Sequence, residues 1–319
     1  MEIVDWSRLT AAQRTGLATL LWSEGDLPGY AVGINSYRRR RRTYQDYRAR
    51  IALEEGRVVG HLGTVRVPFR TARRSQTICG ICDVVIRPDA TRRGFATRLL
   101  RRAHAEARAE GLDWSFLWTR RSWGAHRAYE KLGYFDLYST PTAVRPPRAA
   151  APRTSARLRV ARRSDLPRVE RLLSRASADR LGFVPRFPDS FRHRLALGWR
   201  TLEGVRLLEL RGESVGYADV QVDPVNTIVR ECVLVRPGLA DAMLDGLEQV
   251  SPGRWIGFAH SSFISDHASE LEGRGYRIFP THHAVLMAAP LTPRGRRERA
   301  EIVRTVADPR FFVQRGDQF

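Results

Sequence analysis

Residues suited to holding an anion follow a short apolar run in the first half of the sequence. Residues 91–96 read Thr-Arg-Arg-Gly-Phe-Ala and come after residues 84–86, a run typical of a strand. Helical apolar spacing begins within this segment, so its backbone N–H groups can point out of a helix N-terminus toward a phosphate. Arg92 and Arg93 add positive charge, and Gly94 lets a ligand approach the backbone.

A second segment, residues 125–134, supplies an ionisable hydroxyl. It reads Ala-His-Arg-Ala-Tyr-Glu-Lys-Leu-Gly-Tyr and contains Tyr129. Between the two segments lie a basic stretch with helical spacing and the short apolar run from Trp114 to Thr119. The order therefore predicts a strand–helix–strand–helix unit that carries both a phosphate-binding loop and a hydroxyl.

Together the two segments resemble the acyl-CoA-binding core of the GNAT superfamily of N-acetyltransferases. That family has Gln or Arg, two residues, Gly, one residue and then Gly or Ala after a strand, and Thr91 departs from this pattern at its first position. Residues 125–134 are similar to the family's Tyr-Glu-Lys-x-Gly-Phe segment, and Ser122 stands where many members have Asn. Both motifs occur in the family's order and spacing.

The resemblance implies an acetyl-CoA-dependent N-acetyltransferase without a metal. The strand from Cys82 to Ile86 and the strand from Trp114 to Thr119 would splay apart, and the pantetheine arm would lie between them. An amine would attack the thioester directly, while Tyr129 would donate a proton to the departing thiolate. The residues implied to bind the co-substrate are Val84, Val85, Ile86, Arg92, Arg93, Gly94, Phe95, Ala96, Thr97 and Ser122.

The general base that accepts the amine's proton is harder to identify. Asp83 is the carboxylate nearest to the expected thioester and is our first candidate, although a bulge in its strand would turn it to the other face. Glu54 precedes a hairpin turn, where a solvated side chain is the simpler interpretation. His61 is interpreted as a strand histidine with satisfied hydrogen bonds. His126 lies one helical turn before Tyr129 and could either orient it or face solvent.

Two further clusters have alternative interpretations. Trp114, Phe116 and Trp118 share one face of their strand and are predicted to be core under the helices, although Trp118 could instead contact a cationic acceptor. The run of five arginines at residues 38–42, flanked by tyrosines, could stack nucleotides, hold the CoA 3′-phosphate, bind an acidic acceptor, or form a solvated charged segment.

Composition limits the classes of protein that fit. The 319 residues carry a net charge of +20, but 53 of the 54 basic residues are arginines spread along the chain. This distribution argues against nucleic-acid binding as the main function, and it would help attract the anionic CoA. Three cysteines are too few for a disulfide framework, and Cys79-x-x-Cys82 has no second pair to complete a zinc site. Without an apolar run of membrane length or a signal peptide, we expect a cytoplasmic protein with no membrane partner.

The sequence contains two related halves. Residues 85–88, Val-Ile-Arg-Pro, recur as Leu-Val-Arg-Pro at 234–237, and Gly133 and Tyr134 recur as Gly275 and Tyr276. The amphipathic opening at residues 9–21 recurs at 164–173, where Ser164 is predicted to be the N-cap. Both halves thus predict helix, strand pair, strand, helix, strand, helix, strand. The fold class expected is α/β (α+β with a mixed sheet), with two tandem GNAT-like domains.

The second copy lacks two features of the first. About five residues that would build the phosphate loop are missing after Pro237, and Leu271 occupies the place of Tyr129. We therefore predict a catalytic domain at residues 1–146, a linker at 147–155, a degenerate domain at 156–290 that helps wall the acceptor site, and a C-terminal tail at 291–319.

The sequence leaves the acceptor open between a small-molecule amine and a protein amino group, and the chain could form a homo-oligomer. Two-copy layouts resemble the mycothiol synthases and the aminoglycoside-acetylating, enhanced intracellular survival-type enzymes. Two other functions stay in view. The first is a non-catalytic acyl-CoA-binding sensor, and the second is an arginine-rich nucleic-acid-binding protein.

Overall fold

The structure is a computed structural model that describes residues 2–24, 46–148, 157–184, 191–192, 195, 201–259 and 261–314. The first half comprises β1 (Glu2–Asp5), α1 (Ala11–Glu24), β2 (Arg48–Glu54), β3 (Arg57–Arg70), β4 (Ser75–Ile86), α2 (Phe95–Ala109), β5 (Trp114–Thr119), α3 (Gly124–Glu130) and β6 (Phe135–Arg145). The second half comprises β7 (Arg157–Val160), α4 (Leu166–Ala176), β8 (Leu181–Gly182), β9 (Val205–Leu210), β10 (Glu213–Val222), β11 (Asn226–Leu234), α5 (Ala240–Gln249), β12 (Trp255–Ala259), α6 (Ser262–Asp266), α7 (Ala268–Gly273) and β13 (Arg277–Pro290). The tail contains α8 (Pro293–Arg297), α9 (Arg299–Ala307) and β14 (Phe311–Phe312).

Local structure follows the predicted order in both halves, with several short additional elements and one correction. Strands β1 and β7 were not predicted, and each adds to the outer edge of its half. Ser164 is not the N-cap of α4, because it lies within a 3₁₀ turn and Asp165 precedes the helix. Pro167 nevertheless occupies the first turn, where its missing N–H costs no hydrogen bond.

Helix α2 forms because its apolar residues recur on one side. Leu99, Leu100, Ala103 and Ala107 are buried against the sheet, whereas the arginines of the helix lie at exposed positions. The chain leaves the helix through Gly111, whose φ of 78° is easily reached only without a side chain. The amphipathic pattern thus fixes which face of α2 packs on the sheet.

All described strands belong to one continuous sheet. Its order is β1-β2-β3-β4-β5-β13-β6-β12-β11-β10-β9-β7, with β8 and β14 attached beside it. Strand β13, which ends the second half, lies between β5 and β6 of the first. Strand β6 in turn pairs with β12, through Thr142 to Arg145 opposite Ala259 to Ile256. The two halves therefore exchange their last strands.

The sheet has an apolar layer on each face in the first half. On one, which we call the α2 face, Leu99 and Leu100 of α2 pack with Ile81 and Tyr129. On the other, the α1 face, Leu17 of α1 packs with Tyr47 and Val85. No helix in the described part of the chain is long and apolar enough to cross a membrane.

The aromatic stripe of β5 is core, as predicted, and the helix that packs on it is α9 of the tail, through Ile302. Trp114 and Phe116 form a cluster with Phe183 of the second half and with Phe311 of the tail. Val67 contacts both this cluster and that of α1, so the stripe lies on the α1 face. Period-two spacing thus gave the shared face, but it did not say which elements cover that face.

Candidate active site

The two central strands of the first half separate partway along their length. Strands β4 and β5 pair in parallel only from Cys79 to Ile81 and from Ser115 to Leu117. Beyond these residues the strands diverge, and a cavity of about 570 Å³ lies between them. The cavity is lined by Ile81, Cys82, Asp83, Val84, Val85, Ile86, Thr91, Ala96, Thr97, Leu100, Leu117, Trp118, Thr119, Trp123, Ala125, Ala128, Tyr129 and Leu132.

Most residues singled out from the sequence border this cavity. The lining includes both predicted catalytic residues, Tyr129 and Asp83, and five of the predicted co-substrate contacts: Val84, Val85, Ile86, Ala96 and Thr97. Arg92, Arg93, Gly94 and Phe95 are outside the lining and form the loop and first turn at its edge. Ser122 lies in an exposed turn before α3 and is also outside the lining.

The loop before α2 presents backbone donors to solvent. Arg92 has a φ of 60° and Gly94 one of 83°, so the chain turns twice through the left-handed region. The first intrahelical hydrogen bond runs from Arg98 N to the Gly94 carbonyl at 3.0 Å. The N–H groups of Phe95, Ala96 and Thr97 are therefore left without an intrahelical acceptor. Among the described residues, nothing lies within 4 Å of a Cβ built on Gly94, so a ligand has room to approach.

The two loop arginines have different surroundings. The guanidinium of Arg93 makes a two-bond ion pair with Glu54 at 2.9 and 2.6 Å and lies over the ring of Phe95. Glu54 is thus engaged with this loop, in contrast to the predicted solvated turn residue. Arg92 is exposed, and within the described part of the chain its guanidinium has no hydrogen-bond or ion-pair partner. Arg92 is therefore the loop cation that is free to meet an anion.

The side chain of Tyr129 is held in place by packing contacts and not by a hydrogen bond from its hydroxyl to another described residue. Its side chain is 8% exposed, and its ring meets that of Tyr134 edge-on at 5.9 Å. Among the described residues the hydroxyl has no hydrogen-bond partner. Burial raises the pKa of Tyr129 to about 12, so the phenol keeps its proton at neutral pH. Tyr134 is itself held by hydrogen bonds, because its hydroxyl lies 2.6 Å from Ser115 Oγ and 2.8 Å from His104 Nε2.

His126 fixes helix α3 to strand β6. The sequence left open whether it orients Tyr129 or faces solvent, and the structure shows neither. It is buried, and its Nε2 lies 2.7 Å from Asp136 Oδ1. Burial by itself would raise the pKa of Asp136, but hydrogen bonds from His126 and Arg121 lower it overall. The hydrogen bond between His126 and Asp136 anchors the helix that carries Tyr129.

Asp83 lies at a bulge in strand β4, which is the alternative that the sequence had left open for this residue. Strand β3 residues His61 and Gly63 pair with Val85 and Cys82, so strand β4 has one extra residue there. Asp83 has a φ of 49°, and its Oδ2 accepts a hydrogen bond from Tyr47 at 3.3 Å. Because Tyr47 belongs to the cluster around α1, the bulge turns this carboxylate to the α1 face.

Two neighbours of Asp83 complete this side of the gap. His61 is fully buried, and both of its ring nitrogens are engaged, with the Asp83 carbonyl and with Tyr47. Its interpretation as a satisfied strand histidine is therefore confirmed. Tyr47 was missed as a site residue, since the only sequence signal was an aromatic beside the arginine run. That run, residues 38–42, lies outside the described residues.

The second half has a similar order of elements to the first but lacks the loop that precedes α2. In the first half the residues 91–94 separate the 3₁₀ turn Pro88–Ala90 from α2, whereas α5 begins directly after the turn Pro237–Leu239. Leu271, at the place of Tyr129, is fully buried in the core of this half. The second half therefore keeps the framework of the site without its chemical groups.

The described residues offer no alternative site built on a metal. No group of three or more His, Cys, Asp or Glu side chains within them could hold a metal ion. Cys79 and Cys82 are buried in β4, and burial raises the pKa of the Cys79 thiol to about 12.

Comparison with known proteins identifies similar folds. Residues 26–135 match the model of the acetyltransferase (GNAT) domain. The crystal structure of a GCN5-related N-acetyltransferase from Anabaena variabilis is 15% identical, with a TM-score of 0.67 over 91% of this chain and 73% of that one. Eis1 from Mycobacterium abscessus is 17% identical, with a TM-score of 0.62 over 91% and 74%.

A two-copy protein is also similar along its whole length. A tandem GNAT protein from the clavulanic acid biosynthesis pathway is 13% identical, with a TM-score of 0.55 over 92% of this chain and 99% of that one. At these identities the likenesses show a shared fold. No curated protein matches the sequence.

Proposed function

We propose that the first half of the chain, whose residues 26–135 match the acetyltransferase (GNAT) domain model, transfers an acetyl group from acetyl-CoA to an amine. The observation that carries this proposal is the gap between β4 and β5, which has open backbone donors at one end and the Tyr129 phenol in its wall. A small-molecule amine or a protein amino group would be the acceptor.

The residues at the gap fit acetyl-CoA. A diphosphate would accept hydrogen bonds from the N–H groups of Phe95, Ala96 and Thr97, with Arg92 beside it. Beyond Ile81, β4 no longer pairs with β5, so on that side the backbone of Val84 and Ile86 borders the gap, where an extended pantetheine arm could form hydrogen bonds of the kind a strand makes. These contacts would hold the thioester between the two diverging strands.

The reaction requires one bond to form and one to break. The amine nitrogen bonds to the acyl carbon, the carbon–sulfur bond breaks, and the sulfur leaves with the bonding electrons. Tyr129 would donate its proton to this thiolate, and the raised pKa of the phenol keeps that proton available at neutral pH. The amine must also release a proton, which we assign to Asp83 on the opposite face of the sheet.

We assign catalysis to the first half alone. The second half supports the site from outside, since Phe183 packs 6.5 Å from Trp118, a residue of the cavity wall, on the α1 face where the acceptor would enter. The boundaries of the two domains, with a linker at 147–155, remain part of this proposal.

Release of free thiol from acetyl-CoA, measured across a panel of primary amines, tests the proposed activity. We expect thiol release that depends on the amine, with an acetylated amine of matching amount found by mass spectrometry. A protein that binds acetyl-CoA but releases no thiol with any amine would instead be an acyl-CoA sensor. Binding of mixed-sequence oligonucleotides that is strongly salt-dependent and unaffected by CoA would favour nucleic-acid recognition.

A further inference from the structure

Helices α2 and α3 meet at the wall of the cavity on the α2 face. Leu100 of α2 and Ala128 of α3 both line the cavity. Farther along, His104 Nε2 lies 2.8 Å from the Tyr134 hydroxyl, so a hydrogen bond joins α2 to the segment that follows α3. The surface between the two helices therefore continues from the cavity wall, and cations on this surface are neighbours of the proposed diphosphate site.

Arg101 is such a cation on α2. It follows Thr97, which lines the cavity and whose N–H group has no intrahelical acceptor, by four residues. This spacing places Arg101 about 6 Å from Thr97 along the helix axis and on a neighbouring side. Arg102 is paired with Glu106, whereas Arg101 is exposed and has no hydrogen-bond or ion-pair partner in the described part of the chain. Arg101 is thus free to bind an anion one turn beyond the diphosphate donors.

Lys131 occupies a corresponding position on α3. It follows Ala128 by three residues, and its backbone is still helical, with φ of −61° and ψ of −18°. It is the only lysine of the chain, it is exposed, and among the described residues its ammonium group has no hydrogen-bond or ion-pair partner. Arg101 and Lys131 each come three residues before one partner of the hydrogen bond that joins the two segments. They therefore approach the same surface from its two sides.

We propose that Arg101 and Lys131 bind the 3′-phosphate of CoA, so that the chain distinguishes CoA from 3′-dephospho-CoA. This inference rests on the proposed function, which places the diphosphate at the start of α2. In CoA a single ribose joins the 5′-diphosphate to the 3′-phosphate, so the second phosphate lies near the first. A phosphate monoester carries about two negative charges at neutral pH, and two converging cations stabilise it more than one does.

Isothermal titration of the full chain with CoA and with 3′-dephospho-CoA tests this assignment. We expect the wild type to bind CoA about tenfold more tightly, and higher salt should reduce this ratio of Kd values. Arg101→Gln and Lys131→Gln should each lower the ratio about three- to fivefold, the size expected for an exposed ion pair. The double variant should bring the ratio close to one. Because the ratio compares two ligands on one protein, a change in the folded fraction cancels.

Chemical labelling of Lys131 gives a second readout, because no other lysine is present. An N-hydroxysuccinimide ester should acylate Lys131 in the free protein, and peptide mass spectrometry measures the extent. At equal occupancy, CoA should protect Lys131 more strongly than 3′-dephospho-CoA does. Equal protection by the two ligands would contradict a contact between Lys131 and the 3′-phosphate.

Arg127 provides the matched control. It is an exposed arginine of α3 and lies two residues from both Ala125 and Tyr129, which line the cavity, so it is on the other side of the helix. Arg127→Gln should leave the ratio at its wild-type value. An equal fall in Arg127→Gln, or a wild-type ratio in both Arg101→Gln and Lys131→Gln, would overturn the assignment. If the wild type binds neither ligand, the proposed function itself fails.

Discussion

Tyr129 and Asp83 approach the same gap from opposite faces of the sheet. Tyr129 packs with the residues of α2, and Asp83 is bonded to Tyr47 in the cluster of α1. With the proposed acid on one side and the proposed proton acceptor on the other, a thiolate could leave and an amine could enter without sharing space. The bulge at Asp83 turns its carboxylate to the α1 face and so contributes to this separation.

The two loop arginines should contribute differently to CoA binding. Arg92→Gln should raise the Kd for CoA about five- to tenfold, because its guanidinium is exposed and has no partner in the described part of the chain. Arg93→Gln should affect Kd less and should lower the free energy of unfolding by roughly 0.2–1 kcal/mol, the range for a surface ion pair. Isothermal titration at two salt concentrations measures the first effect, and urea unfolding the second. The reverse order of effects on Kd would mean that Arg93 leaves Glu54 to bind the ligand.

At the scale of elements, the loop at residues 91–94 is the main difference between the halves. The second half shows that a helix can follow its 3₁₀ turn directly, with no such loop. We therefore expect that deleting residues 91–94 leaves cooperative thermal unfolding in place. CoA binding should weaken at least about a hundredfold, since several backbone donors and Arg92 are lost together.

Replacing the same four residues with glycines provides the control for that deletion. The glycine loop keeps the backbone donors but removes the arginines, so its affinity for CoA should fall between those of the wild type and the deletion. If the deletion variant binds CoA as tightly as the wild type, the loop is not the phosphate site.

His104 of α2 is buried and contacts the Tyr134 hydroxyl, which in turn contacts Ser115 of β5. The charge state of His104 depends on folding. Burial, with a smaller effect of Arg108, lowers the pKa of His104 to about 4, against about 6.5 in an unfolded chain. Between pH 4 and pH 6.5 the unfolded chain binds more protons at this position than the folded chain does. The stability that depends on neutral His104 is therefore fully present above pH 6.5 and is lost as the pH falls toward 4. The expected loss is about 3 kcal/mol.

Urea unfolding of the wild type and His104→Gln, measured from pH 7.5 to pH 4.5, tests this linkage. The wild type should lose stability more steeply with acid than the variant, because glutamine still bonds to the Tyr134 hydroxyl but does not titrate. If the free energy of unfolding fell equally with pH in both proteins, His104 would not be the cause of the loss of stability in acid.

Local patterns in the sequence predicted the elements and part of the site, whereas pairing between distant segments was not predictable. The helix beginning at Phe95 and the strand Trp114–Thr119 follow from apolar periodicity, and the match of residues 125–134 to a known motif led to Tyr129. The bulge at Asp83 depends on how strands β3 and β4 align, and the residue types in these strands do not fix that alignment. The link between Tyr47 and His61 requires knowing which face each strand presents.

At the scale of the whole molecule, the exchanged strands make the halves interdependent. Residues Val285 to Pro290 of β13 pair with Thr119 to Trp114 of β5, next to the strand end that borders the gap. The sequence repeat suggested two separable units, because an apolar strand at the end of each copy fits either sheet. The exchange instead places the last strand of the degenerate half beside the proposed active site.

Truncation should therefore destroy the first half. A fragment of residues 1–146 would expose the edge of β5 that β13 covers, and we expect it to aggregate or to lack a cooperative unfolding transition. Co-expression with residues 147–319 should restore a complex that releases thiol from acetyl-CoA. A soluble, cooperatively folded and active fragment 1–146 would show that β13 is dispensable.

The most direct measurement is steady-state thiol release from acetyl-CoA, with an accepted amine, by the wild type, Tyr129→Phe and Tyr276→Phe. Tyr276 is the buried counterpart of Tyr134 in the second half, and its ring lies beneath the guanidinium of Arg145, away from the gap. We expect Tyr129→Phe to lower kcat about 10²- to 10⁴-fold with little change in KM for acetyl-CoA, because only the proton donor is lost. Tyr276→Phe should leave kcat nearly unchanged. A Tyr129→Phe protein that turns over as fast as the wild type would contradict the assignment of the active site to this phenol and this half of the chain.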